Sequence, residues 1–497
     1  MNEKKIYVEG FDDIQTLLLI CVLEKYAKTK QIKTIIFNNK LSKNVLQQKI
    51  IKKFFKQNNI IYFDNLKNRF KILFFILFST IKVIYFFFLI NRKKLLDKKI
   101  SWYNSQIFHS IWDHSYLPKN VVNLPLKNKI YPSFFELLKS TVTIFVNTYY
   151  ARILKSHNVS IAFMGHQVYA SKAKIAEFRR LNIKVIGYAA FSFFEIPTKV
   201  DTMWSVINKK HKNYLYRKIL RKKSYNYWKL RIVGKGGNQD SRLAAKYKNK
   251  FNKKKYKNIL MMHIFNDSPF NFIDRKRIFS DYYHWIEETL KILCESKVTW
   301  IARPHPSAKK WGENSKFIYN KILEKVQNVT GKKPNIIYDD SETSNIDLLK
   351  NADKILTFSG TSHIEAACFG IKPIIISNVT LNMLSKKFTY KPKSIYEYKK
   401  LILNKNKAKF LLPKKLIYEA REYLFIIENT LAMDKELDFK TYYRNESLNS
   451  AFINRLFIKM AKSVNKLQNK IYLSSSYLNS KFRRTLSWKF LNLIKQK

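Results

Sequence analysis

Short apolar runs alternate with longer amphipathic stretches along much of this chain. KKIYV (4–8) and IKTIIFN (32–38) read as strands, with a helical stretch from Asp12 to Lys28 between them. VSIAFMG (159–165) and IKVIGYA (183–189) read as two more, joined by a helix from Ala170 to Leu181. A second series starts at NILMMHIF (258–265) and runs through a helix over 279–296, strand VTWIAR (298–303) and a helix over 314–329. It continues with strand NIIY (335–338), a short helix over 345–352, strand KILTF (354–358), a helix over 362–369 and strand KPIII (372–376). Strands of this kind, alternating with helices across short turns, predict an α/β protein with two parallel sheets. The expected organisation is a Rossmann-like domain over 1–200, a basic connection over 201–257, a second Rossmann-like domain over 258–410 and a basic helical region over 411–497.

Composition adds charge to this picture. The 497 residues carry 94 Lys+Arg against 35 Asp+Glu, a formal +59. An AT-rich genome inflates Lys, Asn and Ile together, yet it does not explain so few acids. A field of this sign favours anionic partners: lipid headgroups, nucleotide-linked substrates, acidic glycans or nucleic acid. Hydrophobic residues make up 46%, which excludes a disordered polymer. Cys21, Cys294 and Cys368 have neither metal spacing nor a disulfide framework, which fits a reducing cytoplasm. The N-terminus MNEKKIYVEGF has no cleavable apolar stretch. ILFFILFSTIKVIYFFFLIN (72–91) is long enough to span hydrocarbon, but Lys82 lies in its middle. Its three readings are a helix packed in the first domain, an interfacial helix pressed on anionic lipid, and a true span.

The chemistry gathers where strands end. Strand 354–358 runs into Ser359, Gly360, Thr361 and Ser362, a turn that opens a helix. Ser and Thr suit helix capping, Gly lets a phosphate approach the backbone, and free N–H groups with the helix dipole would face an anion. Strand 298–303 ends in Arg303-Pro304-His305-Pro306, an arginine fork and an imidazole on a rigid turn. His263 opens a third cluster, HIFNDSP, at the end of strand 258–265. Parallel sheets bind ligands at the carboxyl ends of their strands, so these clusters predict one anion site. The helix residues DYYHW (281–285) read as packing, and Asp339-Asp340-Ser341-Glu342 as a solvated loop.

HIFNDSP, DYYHWIEETL, IARPHP and SGTSHIEAACFGIKPII together resemble bacterial capsule and surface-carbohydrate glycosyltransferases of the GT-B fold. The His-Pro and Ser/Thr pairs are also similar to those of bacterial sialyltransferases and Kdo transferases, where they hold CMP. The resemblance covers about 258–376. It implies two Rossmann-like domains facing a cleft, with C-terminal helices. It also implies a nucleotide-sugar donor, CMP-linked in the nearest cases, held by His263, Arg303, His305, Pro306, Ser359, Gly360, Thr361 and Ser362, with Glu365 reaching a ribose or sugar hydroxyl. The acidic base motif of some sialyltransferases is not evident.

The first domain is expected to bind the acceptor, a glycan or glycolipid, and to supply the base. His166, at a strand end, and Asp113, in SIWDHSY, are the two candidates. No metal constellation and no cofactor motif stands out, so the expected transferase is metal-independent and lies at the cytoplasmic face of the plasma membrane. The alternatives are a teichoic-acid-type transferase acting on a CDP-polyol and a basic nucleic-acid-binding protein. For the second, no RNP motif, zinc finger or helix-turn-helix signature is apparent, and no nucleic-acid partner is expected.

Overall fold

The computed structural model describes residues 4–9, 23–38, 45–63, 74, 76–81, 83–84, 134–164, 169–189, 192–196, 218–233, 257–265, 278–279, 282–306, 308, 313–339, 344–358, 360–376 and 387–429. They form two compact units, each built on its own sheet.

The first sheet holds β1 (Lys5–Val8), β2 (Thr34–Asn38), β3 (Asn59–Phe63), β4 (Val159–Met164), β5 (Lys184–Ala189) and β6 (Ser192–Glu195). Their order is β3-β2-β1-β4-β5-β6, parallel throughout except for the antiparallel hairpin β5-β6. The chain works outward from β1 to β3, then returns to the other side of β1 at β4. That reversal is the switch point of a Rossmann-type sheet. β2 is buried along its whole length, as a central parallel strand covered on both faces must be. The described helices near this sheet include α1 (Val45–Phe54), α2 (Phe134–Ser156) and α3 (Tyr169–Arg180). β3 and β6 were not anticipated from the apolar pattern: β3 is half-exposed and β6 is a short edge.

The second sheet holds β7 (Asn258–Met261), β8 (Trp300–Arg303), β9 (Ile336–Tyr338), β10 (Lys354–Thr357) and β11 (Ile374–Ile375) in the order β11-β10-β7-β8-β9, all parallel. Its switch point lies between β7 and β10. Around it run α4 (Lys218–Ile232), α5 (Tyr282–Leu293), α6 (Ser315–Thr330), α7 (Asn345–Lys350), α8 (Ser362–Cys368), α9 (Ile395–Leu403) and α10 (Lys414–Asn429). Alternation along β7 and β10 divides the core. Leu260 and Leu356 pack with Trp285, Leu290 and Tyr398 of α5 and α9 on one face. Ile259, Met261 and Ile355 pack with Leu348, Leu349 and Ala366 of α7 and α8 on the other. Helices therefore cover both faces, as the alternation of elements predicted.

α4 falls inside the segment read as a basic connection with some helix, and α10 inside the one read as a basic helical region. Both belong to the second unit, and α10 packs against α4 and α8. Among the described residues, no helix is long and apolar enough to cross a membrane.

Candidate functional site

The carboxyl ends of β7, β8 and β10 lie side by side, because β7 pairs with both of the others. In register, Met261 sits beside Arg303 on one flank and Thr357 on the other. The next residues along each strand therefore emerge together at the switch point: His263 after β7, His305 after β8, Gly360 after β10.

The two imidazoles meet there, with ring centroids 5.6 Å apart. His263 is fixed through its backbone: the Tyr282 hydroxyl donates to the His263 carbonyl at 3.2 Å and accepts from its N–H. Burial pushes the Tyr282 phenol well above its ordinary value, so it stays a neutral donor. The same ring lies edge-on to Phe358, which leads into the Gly360 turn. Tyr282 thus joins two of the three strand ends. From the sequence, DYYHW (281–285) reads mostly as packing.

Gly360 has φ +96°, a left-handed conformation, and a Cβ built there would meet nothing within 4 Å. The turn is therefore open as well as permissive, as a backbone approached by a ligand needs to be. His363, fully buried one turn on, hydrogen-bonds the Gly360 carbonyl through Nδ1. Its Nε2 has no partner among the described residues. Thr361 is the N-cap of α8 but makes no side-chain cap bond, and Ser362 is half-buried. α8 has only seven residues, so the dipole expected to face an anion is that of a very short helix. Pro306 is half-buried in the turn after His305.

Two predicted ligand contacts have other partners. Arg303 is 4% exposed; its Nη1 donates to Asp339 Oδ2 at 3.2 Å and its Nε to Asn345 Oδ1 at 3.1 Å. The guanidinium braces the end of β8 against the β9–α7 connection, and these two bonds are structural. Asp339 is accordingly a buried ion-pair partner and not part of a solvated loop. Glu365 also faces inward: Arg231 of α4 donates to its Oε1 from Nε at 2.8 Å and from Nη2 at 2.6 Å. A carboxylate held in this way is a tie between α4 and α8, which differs from the expected contact with a ligand hydroxyl. A further buried carboxylate, Glu313, accepts from the Phe265 N–H at 3.1 Å and from Ser315 Oγ at 2.6 Å, and so anchors the chain just after His263.

Ser359, His166 and Asp113 lie outside the described residues. The fold brings together His263, His305, Pro306, Gly360, Thr361 and Ser362, and it turns Arg303 and Glu365 into the protein.

No family model matches the chain, and no curated protein matches it. Among solved structures, it is similar to KpsC, a beta Kdo 2,4 transferase from Thermosulfurimonas dismutans, with 12% identity, TM-score 0.33, and 53% of this chain and 79% of that one covered. It is similar to the UDP-GlcNAc 2-epimerase of Methanocaldococcus jannaschii, with 12% identity, TM-score 0.30, and 85% and 99% covered. A glycosyltransferase from Rickettsia africae matches at 15% identity and TM-score 0.25, with 90% and 100% covered. Overlaps this loose leave the chemistry to be read from the chain's own residues.

Proposed function

We propose that the chain is a glycosyltransferase that takes a sugar from a nucleotide-sugar donor bound at the second sheet's switch point and delivers it to a surface glycan or glycolipid. One observation carries this reading: the pair His263 and His305 stands beside the open, left-handed Gly360 turn, at the place where open parallel sheets take nucleotides. Two imidazoles and open backbone suit the oxygens of a phosphate ester, the leaving group when the sugar departs. The donor class is the CMP-linked one to which the motif resemblance points. Acceptor recognition falls to the first sheet. The strongly basic chain works at the anionic inner face of the plasma membrane.

The test is a thermal-shift panel of CMP, CDP, UDP and GDP on the wild type, His263→Ala and His305→Ala. One nucleotide is expected to raise the wild-type midpoint, and both variants, folded, are expected to lose most of that rise. A wild type that none of the four stabilises would sink the reading. Release of CMP from a CDP-polyol with no sugar transferred would replace it by the polyol-phosphate alternative.

A further inference from the structure

His363 is a poor residue for packing. Its ring is fully buried in α8, its Nδ1 bonds the Gly360 carbonyl, and its Nε2 has no partner among the described residues. A buried nitrogen left in that state costs stability that Leu or Phe in the same place would keep. Burial brings the imidazole down to about 4, so at neutral pH the ring is uncharged and carries one N–H. A carbonyl only accepts, so that hydrogen sits on Nδ1, and Nε2 is left with an unused lone pair. What the ring contributes is a single donated hydrogen bond, and it goes to the turn beside the two strand-end imidazoles.

That bond sets the direction of a peptide. The Gly360 carbonyl and the Thr361 N–H belong to one trans peptide plane, so they point opposite ways. With the carbonyl drawn in to the buried ring, the N–H faces away from it. The Thr361 N–H has no hydrogen-bond partner among the described residues, and Thr361 makes no side-chain cap bond. Gly360, Thr361 and Ser362 are only half-buried, so the turn keeps a side toward solvent. Gly360 has no Cβ to hinder rotation of this peptide, and the space beside it is open. The same peptide turned over would present the carbonyl oxygen where the N–H now stands, and that oxygen repels a phosphate. The polarity of the turn therefore rests on His363. It asks nothing of the dipole of α8, which has only seven residues.

Resting on the donor reading above, we propose that His363 is a positioning residue for the donor phosphate: its Nδ1–H holds the Gly360–Thr361 peptide so that the Thr361 N–H, and not the Gly360 carbonyl, meets the phosphate oxygens. The buried ring itself touches no ligand. The device acts on the phosphate and leaves contacts to base and ribose as they are, a signature that lost packing would not have.

The experiment measures, by calorimetry on the full chain, the binding of CMP, CDP, UDP and GDP, and of cytidine, uridine and guanosine by displacement of the bound nucleotide. It compares the wild type with His363→Phe, His363→Asn, His363→Gln and Thr361→Pro. Phenylalanine fills the space and donates nothing. Asparagine puts an amide N–H close to the place of Nδ1, and glutamine carries its amide one methylene too far. Thr361→Pro deletes the N–H itself, at a φ of −75° that proline adopts. Folded His363→Phe and Thr361→Pro are expected to bind the nucleotide about 10- to 100-fold more weakly, the scale of one hydrogen bond to a charged group, and the matching nucleoside as the wild type does. His363→Asn is expected to stay within about threefold of the wild type, and His363→Gln to be as weak as His363→Phe. Nucleotide affinity within about threefold of the wild type in folded His363→Phe or Thr361→Pro overturns the proposal. So does a loss shared equally by nucleotide and nucleoside, or a His363→Asn as weak as His363→Phe. If His363→Phe does not fold, His363→Asn against His363→Gln carries the comparison. If no variant at 363 folds, Thr361→Pro decides: a selective loss of nucleotide upholds the proposal, and unchanged affinity overturns it. A wild type that binds none of the four nucleotides removes the donor reading and this role with it. A wild type that binds them, with variants that bind them equally, removes His363 alone.

Discussion

At position 303 the type of residue was legible and its partner was not. An arginine at a strand end before His-Pro invites a phosphate, but the acid that claims it lies across the β8–β9 connection, in a run that reads as a polar turn. Arg303→Ala should therefore act on stability first. It strands Asp339 in the interior, which costs about 3–5 kcal/mol; a urea midpoint that did not move, with nucleotide binding lost, would return Arg303 to the ligand. His363 makes a second residue-level prediction. Burial brings its imidazole down to about 4 from 6.5, with the nearby Lys391 acting in the same direction and the Gly360 carbonyl opposing both. Between those two values the unfolded chain holds a proton that the folded chain refuses. Stability should then rise with pH from about 4 to 6.5, by about 3 kcal/mol from this residue, and level off above. His363→Leu, compared with the wild type across that range by denaturant titration, should flatten the difference. Parallel curves would mean that the ring is not held neutral.

Among elements, those recognised from the sequence share a property: each has a short apolar run at its centre, even where buried polar residues such as Thr34, Arg303 and Lys354 stand at its ends. β1, β2, β4, β5 and β8–β11 lie within two residues of where periodicity put them, and β7 starts where expected at Asn258 but ends at Met261, four residues before the apolar run does. α4, in a segment expected to hold some helix, shows why its place in the second unit was not legible. Its buried face is Leu220, Ser224, Trp228 and Arg231, spaced four, four and three apart as a helix requires. Two of those four are polar, so hydropathy reports a basic linker. The face becomes intelligible only with its partners: Trp228 stands edge-on to Phe369 at 4.9 Å, Tyr227 meets Phe425 of α10, and Arg231 binds Glu365 of α8. Arg231→Met leaves the Glu365 carboxylate buried without that arginine and should cost about 3–5 kcal/mol. Arg231→Met/Glu365→Leu should recover most of the loss, because the pair is then removed together. If Glu365 is only a tie, the double variant binds nucleotide as the wild type does; weakened binding in a stable double variant would restore the ligand role that the sequence suggested.

For the whole molecule, the two switch points were implicit in the order of elements, because a series that returns past its first strand leaves a crevice beside it. What occupies each crevice was only half legible. Histidine and glycine at strand ends announce themselves, while the ion pair between Glu9, which follows β1, and Lys174 of α3 joins residues 165 positions apart and has no local signature. The net charge was plain from the start, and it becomes a physical claim about location when set beside the helical residues around 74–84. Phe74, Leu77 and Ile81 are each about two-thirds exposed and spaced as one helical face, while Ser79 and Val83 are buried on the other side. Apolar side chains on such a face, in a chain of +59, suit the headgroup region of an anionic membrane, where insertion and charge attraction add. The chain should sediment with phosphatidylglycerol vesicles at about 50 mM salt and much less at about 500 mM, where the screening length falls to a few ångströms. Phosphatidylcholine vesicles, which carry no net charge, should retain little. Leu77→Asp/Ile81→Asp should weaken attachment at both salt concentrations, since it removes the inserted component and leaves every cation in place, adding only two negative charges. A variant that binds as well as the wild type would leave attraction between charges as the whole of the attachment, and a wild type that stays in solution at low salt would take the protein off the membrane.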